Sequence, residues 1–309
     1  KRQIQRNGNL YTFASNIYDS IVVERGNIII DGNGYTLQGS GSGDGFYWIG
    51  INNVTIRNTN IKGFECGIIF GLSSTNNSVS RNNITGNKNA GIYLGYDSSN
   101  NSVSGNNITG NNLYGIVLYS SSNNSVSGNN VKANNYGGIV VFSSSNNTVS
   151  QNNTTNPWVG IGLDNSSGNK IHGNIFVSDG FYIEDSYENV VEDNLVNGKP
   201  LVYLEEASNL VVEEAGQVIL VNCNNITIRN LNLSNSFVGV ELWQSNNSTI
   251  TNNNITGNNW VGVILYSSSG NKFYHNNFNN TDQVFDFGGS VNVWDDGYPS
   301  GGNYWSDYT

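Results

Sequence analysis

Asp164, Glu184 and Glu205 stand about one repeat apart in the chain, and the last two are each followed by a second acid, Asp185 and Glu206. If successive repeats stack, these side chains stack with them, and carboxylates held that close repel unless water or a cation neutralises them. A hard cation bound through oxygen, such as Ca2+, is the partner such a group would take; a solvated acidic face is the plainer alternative. Paired carboxylates also cleave glycosidic bonds when their separation suits. No Lys or Arg shares their column, so no lyase base is evident and no catalytic constellation is identified. Glu192 over Glu213 and Asp193 over Glu214 repeat the acidic pattern on another strand.

A second set of outward residues is apolar. Tyr119, Phe142, Trp243 and Tyr266 share one position of the repeat with Asp164, Glu184, Glu205 and Val221. Two residues earlier stand Val117, Val140 and Ile264, with Tyr93, Tyr182, Tyr203 and Ile219. An exposed apolar stripe of that length is unusual on a solitary soluble protein. It is expected to be covered by another subunit, a tail, or a sugar chain stacked on the rings, unless these residues are present only because they favour strand surfaces.

The element that positions these columns is read from the repeat itself. "NNSVSRNNITGNKNAGIYLGYDSS" from Asn76 returns as "NNSVSGNNITGNNLYGIVLYSSS" from Asn100 and "NNSVSGNNVKANNYGGIVVFSSS" from Asn123, then in looser form from Asn146 and Asn246. A period of about 20 to 24 residues is that of a solenoid. Apolar runs such as "GIVLY" are too short and too β-branched for helices, and a unit this small buries its apolar face only by stacking on its neighbours. The fold class is all-β: a single right-handed parallel β-helix of about twelve coils. Its expected parts are an N-terminal cap over residues 1–25, coils over 26–290 and a Gly-rich aromatic cap over 291–309. Val79, Val103, Val126, Val149, Ile171, Val191, Ile228, Ile250 and Phe273 are expected to form one inward column. Ile92/Leu94, Ile116/Leu118, Ile139/Val141, Val240/Leu242 and Val263/Leu265 are expected to form another. Asn33, Asn82, Asn106, Asn129, Asn152, Asn174, Asn194, Asn253 and Asn276 form an interior ladder, in which each amide finds partners one coil above and below.

Composition narrows the function. Charged residues are only 12% and hydrophobic ones 37%, which at a fixed period indicates order rather than a disordered polar tract. A net charge of −10 excludes nucleic acid as a partner, and no apolar run approaches membrane-spanning length. The opening "KRQIQRNGNL" lacks Met, which fits a chain whose export leader was removed and fits a trimmed chain equally. Sequons at Asn76, Asn100, Asn123, Asn146 and Asn246 fall at one repeated turn and are expected to carry glycans if the protein is exported. Those at Asn83, Asn107 and Asn254 are expected inside the fold. Cys66 and Cys223 lie about seven coils apart, too far to bridge at about 4.8 Å per coil, and are expected as buried free thiols.

The coil phrase, the opening "YDSIVVERGNIIIDGNGYTLQGSGSG", the central "NGKPLVYLEEASNLVVEEAGQVILVNCNNITIRNLNLSN" and the closing "NVWDDGYPSGGNYWSDY" carry a family resemblance. They resemble the archaeal secreted NosD-like parallel β-helix proteins with carbohydrate-binding/sugar-hydrolase type repeats, over almost the whole chain. The resemblance implies a right-handed β-helix, export and a surface role; it implies no single activity, because this fold hosts lyases, epimerases, hydrolases, adhesins and structural proteins. The name-giving member is linked to copper-site maturation in a periplasmic reductase. Copper favours Cys, Met and His, whereas Met is absent here and His172 and His275 lie several coils apart.

The first expectation is therefore a non-catalytic, glycosylated extracellular protein that self-associates as an open-ended homopolymer at the cell surface, in a filament, surface layer or matrix. The alternative is a protein that binds or modifies a surface polysaccharide as a lyase, epimerase or hydrolase would, along Tyr119, Phe142, the acids, Trp243 and Tyr266. A periplasmic copper-maturation role stands third. No cofactor is required by any of these, with calcium the one candidate ion.

Overall fold

A computed structural model describes residues 3–289 and 291–308. Lys1, Arg2 and Thr309, the outermost residues of the two expected caps, and Ser290, where the expected coils end, lie outside the described residues. No helix occurs among the described residues; about half of the chain is strand, wound as a parallel β-solenoid of about 13 turns. Nor is there a helix among them long and apolar enough to cross a membrane.

One coil explains the rest. After the corner at Asn100, the strand Ser102–Ser104 buries Val103 between two outward serines. Gly105, with φ of 62°, then turns the chain into Asn107–Thr109, which buries Ile108. Gly110, with φ of 65°, turns it again toward Tyr114–Tyr119, which buries Ile116 and Leu118. Each strand pairs in parallel with its counterpart one coil later: Val103 with Val126, Ile108 with Val131, Ile116 with Ile139. Three-residue strands work here because every residue bonds to coils on both sides. Corners need left-handed backbone, which Gly and Asn supply at least strain.

The interior asparagines form three ladders where one was expected. In the expected one, the main-chain N–H and Nδ2 of Asn106 both donate to Oδ1 of Asn129, at 3.0 Å each, while Nδ2 of Asn106 also donates to the Val79 carbonyl at 2.9 Å. The same pattern recurs at a second corner through Asn77, Asn101, Asn124, Asn147 and Asn169, and at a third through Asn87, Asn111, Asn134 and Asn156. A serine ladder, with Ser121, Ser144 and Ser166 donating N–H to the next coil's hydroxyl, turns the remaining corner. Each amide oxygen accepts two hydrogens and each Nδ2 supplies two, so burial leaves little unpaired.

Two expectations about the interior are corrected. Asn33 is exposed and takes no part in the ladder: its N–H donates to Oδ1 of Asp31 at 2.9 Å, and Thr59, with Gly32 before it, holds the corner instead. Asn83, Asn107 and Asn254 are half-buried on the outer surface, because Ile84, Ile108 and Ile255 take the inward positions of those strands. They form outer ladders of their own, with Asn107 Nδ2 on Asn83 Oδ1 at 2.8 Å and Asn254 Nδ2 on Asn232 Oδ1 at 3.0 Å. In the inward column, Val191 is half-buried where its counterparts are fully buried.

The chain packs as two compact units: Lys1–Asn174 with Ile183–Val190, and Ile175–Tyr182 with Val191–Thr309. Ladder bonds step by 23 or 24 residues through most of the first unit and by 20 at Asn169–Asn189. In the second unit, Glu213 meets Arg229 across 16 residues before the step returns to 22 at Cys223–Ser245. The shortest coil leaves no room for a strand at the second corner. Elsewhere in this unit the fully buried Gln217 amide donates to and accepts from the main chain of Phe181, at 2.7 and 3.0 Å.

Each regular coil also has an inward glycine as the second residue of its third strand. A Cβ on Gly115 would lie 2.4 Å from Val131 Cγ1 and 2.6 Å from the Gly138 carbonyl. Gly115→Ala is expected to destabilise the fold by about 1–3 kcal/mol through overpacking, read from the midpoint of urea unfolding.

Candidate functional site

The third strand of each coil in the first unit presents its outward residues in register. Ile69, Tyr93, Val117, Val140 and Gly162 form one column, and Tyr119, Phe142 and Asp164 the next. Tyr114, at the head of its strand, leans over the same face. Its ring meets Phe142 edge-on with centroids 6.2 Å apart and meets Tyr136 at the same distance. On the other side Tyr119 packs against Tyr93 at 6.5 Å and Tyr96 at 5.6 Å. Gly95 makes room for this: a Cβ there would lie 2.6 Å from the Tyr93 ring.

These rings alter the expected stripe. Val117 and Val140, expected to be exposed, are each 4% exposed because the chain's own aromatics close over them. What remains accessible is a row of rings: Tyr96, Tyr119, Tyr136 and Trp158 are 53, 39, 57 and 38% exposed. At one end an apolar pocket of about 230 Å3 lies among Tyr47, Ile49, Ile69, Leu72, Tyr93 and Tyr96. Burial, then the neighbouring Tyr96 and Tyr119, pushes the Tyr93 phenol up to about 12, so it remains a neutral hydrogen-bond donor at ordinary pH.

Toward the other end stand carboxylates. Asp164 follows Phe142 in register, and the Glu184 carbonyl accepts the N–H of Asn165 at 2.9 Å, which places Glu184 in the next coil. Burial, and after it the charge of Asp185, hold the Asp164 carboxyl above its ordinary value. A raised folded-state pKa means that the folded protein binds the proton more tightly than the unfolded chain, so this group lowers stability as pH rises through and beyond the window just above 3.8. Asp164→Asn is therefore expected to raise the thermal midpoint at pH 7, with the gain vanishing in acid below the ordinary carboxyl pKa.

In the second unit the outward face of the strands Val238–Trp243 and Val261–Tyr266 is closed. Trp243, expected as an exposed platform, is 2% exposed: its indole N–H donates to Oε1 of Glu241 and its ring stacks on Tyr266 at 4.2 Å. Ile264, expected in the exposed stripe, is 1% exposed and lies between Glu241 and Phe285 in register. Rings flank that column on one side through Phe237, Trp260 and Phe285, and on the other through Trp243, Tyr266 and Phe287. Glu241 is fully buried there and was missed in the sequence. Its signal was a lone acid, in "VGVELWQ", at an outward position where neighbouring coils carry Ile. Glu205 accepts the Tyr203 hydroxyl at 2.8 Å, Glu206 is exposed with φ of 54°, and Glu213 pairs with Arg229 at 2.6 Å, so the acids of that first-strand column do have a cation. Among the described residues no three His, Cys, Asp or Glu side chains converge as a metal would require.

The turn asparagines Asn76, Asn100, Asn123 and Asn146 are exposed at left-handed corners, with φ of 57, 56, 59 and 56°. Asn246 is half-buried, its Oδ1 accepting the Ser269 N–H at 2.8 Å, and the exposed left-handed corner is Asn247, one residue on. Both cysteines are buried and free, Cys66 in the first unit and Cys223 in the second; burial pushes the Cys66 thiol up to about 12.

The sequence matches the family model for NosD, described as a periplasmic copper-binding protein, over residues 10–179 and 138–309. No curated protein matches the chain. Among solved structures, an alginate lyase from Paenibacillus sp. str. FPU-7 aligns with a TM-score of 0.51 at 13% identity, over 92% of this chain and 91% of its own. The A-module of a mannuronan C-5 epimerase from Azotobacter vinelandii aligns at 0.47 and 13% identity, over 92% of this chain and 87% of its own. At such identity the likeness is one of fold. The copper of the family description finds no fitting donor set among the described residues: Met is absent, no three His, Cys, Asp or Glu side chains converge, and both thiols are buried and held protonated by that burial.

Proposed function

The chain belongs to the NosD family, and from that premise we propose that it is an exported β-helix protein that binds a neutral polysaccharide along the aromatic row of its first unit, without cleaving it. The observation that carries this is the row of accessible rings, Tyr96, Tyr119, Tyr136 and Trp158, beside the buried Val117 and Val140. Pyranose rings present flat C–H faces that such side chains cover, and a repeating row suits a repeating ligand. The tyrosine hydroxyls supply donors at the rim, and the protonated Tyr93 is among them.

Neutral glycan is favoured over polyuronate on electrostatic grounds. The row ends at Asp164, Glu184 and Asp185, and the chain carries a net charge of −10, so a polyanion meets repulsion at low salt. Binding without cleavage fits the sequence, in which the repeat position of Asp164, Glu184 and Glu205 carries no Lys or Arg. A polysaccharide array containing neutral and anionic polymers tests the reading: retention on neutral chains is expected, retention confined to polyanions contradicts the ligand class, and no retention contradicts the function.

A further inference from the structure

The two ends of the sequence differ in net charge. Residues 1–25 contain Lys1, Arg2, Arg6 and Arg25 against Asp19 and Glu24, whereas from Phe273 onward there is no Lys or Arg and the acids are Asp282, Asp286, Asp295, Asp296 and Asp307. At the C-terminal end of the second unit, Trp294 and Trp305 stack on Phe273 and Phe278 at 4.4 and 4.5 Å and close the core only in part. Their outer faces line a concavity of about 500 Å3 with Asp282, Val284 and Asp307. The strand Asp282–Phe287 pairs with Val261–Tyr266 on one side and is the last of its sheet.

The ladder ends there: Asn253 and Asn276 each donate their main-chain N–H to the asparagine one coil later, at 3.0 and 3.1 Å, and Asn303 turns its Nδ2 to the Phe273 and Trp294 carbonyls at 2.9 and 3.0 Å. At the N-terminal end of the first unit, Ile21–Val22 is the first strand of its sheet, paired only with Phe46–Tyr47. Beside it a concavity of about 460 Å3 is lined by Ile4, Tyr11, Val22, Ile28 and Ile30, with Arg25 among its lining residues. Val22 and Arg25 are exposed, and so is Arg6, which lies 5.4 Å over the Tyr11 ring.

We infer that the C-terminal end receives the N-terminal end of a second copy of this chain. Asp282–Phe287 of one copy lies along Ile21–Val22 of the next, the Trp294 and Trp305 faces fill the apolar N-terminal concavity, and Arg6 and Arg25 meet the acids around Asp282 and Asp307. Unpaired strand edges are natural templates for another chain, opposite charges set partner and register, and a contact between two different patches propagates without closing. This inference is independent of the glycan reading.

Sedimentation velocity of the full chain over rising concentration tests it. Species growing beyond the dimer are expected at low salt, with less association at high salt. Arg25→Glu and Asp307→Arg, both at exposed positions, are each expected to weaken association about tenfold, and the double variant to regain most of it. A monomer at every concentration, a dimer that grows no further, association indifferent to either substitution, or a double variant no better than the singles would each overturn the inference.

Discussion

Asn129→Ala is expected to destabilise the protein by about 3–6 kcal/mol, an unusually large effect for a polar-to-Ala change. The substitution removes the oxygen that accepts both the main-chain N–H and an Nδ2 hydrogen of Asn106, and it removes the Nδ2 that serves the Val103 carbonyl at 3.0 Å. One main-chain N–H, one of the two Nδ2 hydrogens of Asn106 and the Val103 carbonyl each lose a bond in the buried core, at about 1–3 kcal/mol apiece with partial relaxation. The outward Ser104→Ala, in the same coil, should change stability by less than about 0.5 kcal/mol. Urea unfolding of the two variants beside the parent checks the contrast. If the two cost the same, the ladders would be ornament rather than frame.

The second large effect concerns the row of rings. Replacing Tyr119 and Tyr136 together by Ala is expected to weaken glycan binding about 100-fold, since exposed aromatic anchors contribute about 1–2 kcal/mol each. Neither ring lies in the interior column: Tyr119 is 39% and Tyr136 57% exposed. The thermal midpoint should therefore move far less than affinity does. Trp243→Ala gives the opposite pattern, because its ring is buried against Tyr266 and its indole bonds to Glu241. It should lower stability and leave glycan affinity near that of the parent protein.

How far such contrasts could be anticipated depends on the kind of residue. The ladder through Asn106 and Asn129 is written in the repeat, because a fixed period aligns identical residues and a buried amide must find its equal one coil away. The ladders through Asn101 and Asn111 are written in the same phrases, yet successive asparagines disguise which one points inward; Asn33, in "DGNGY", was misplaced because the corner position of that coil is held by Gly32. The inward apolar columns followed from alternation alone. The exposure of the outward stripe did not, because it depends on where neighbouring rings lean. Tyr114 reaches across to Phe142, and Val140 disappears beneath them. The irregular coils of the second unit broke the alignment, so Glu241 went unread although an acid among isoleucines was visible. The closing aromatic cap was legible, since Trp294 and Trp305 continue the inward positions of Phe273 and Phe278.

Isothermal titration of the intact protein with neutral oligosaccharides of increasing length, alongside Tyr119→Ala/Tyr136→Ala, tests the central claim most directly. The account requires affinity that rises with chain length until the row of rings is covered, and its loss in the double variant with the fold intact by circular dichroism. Affinity that persists undiminished in that variant, or no heat from any neutral chain, would contradict it.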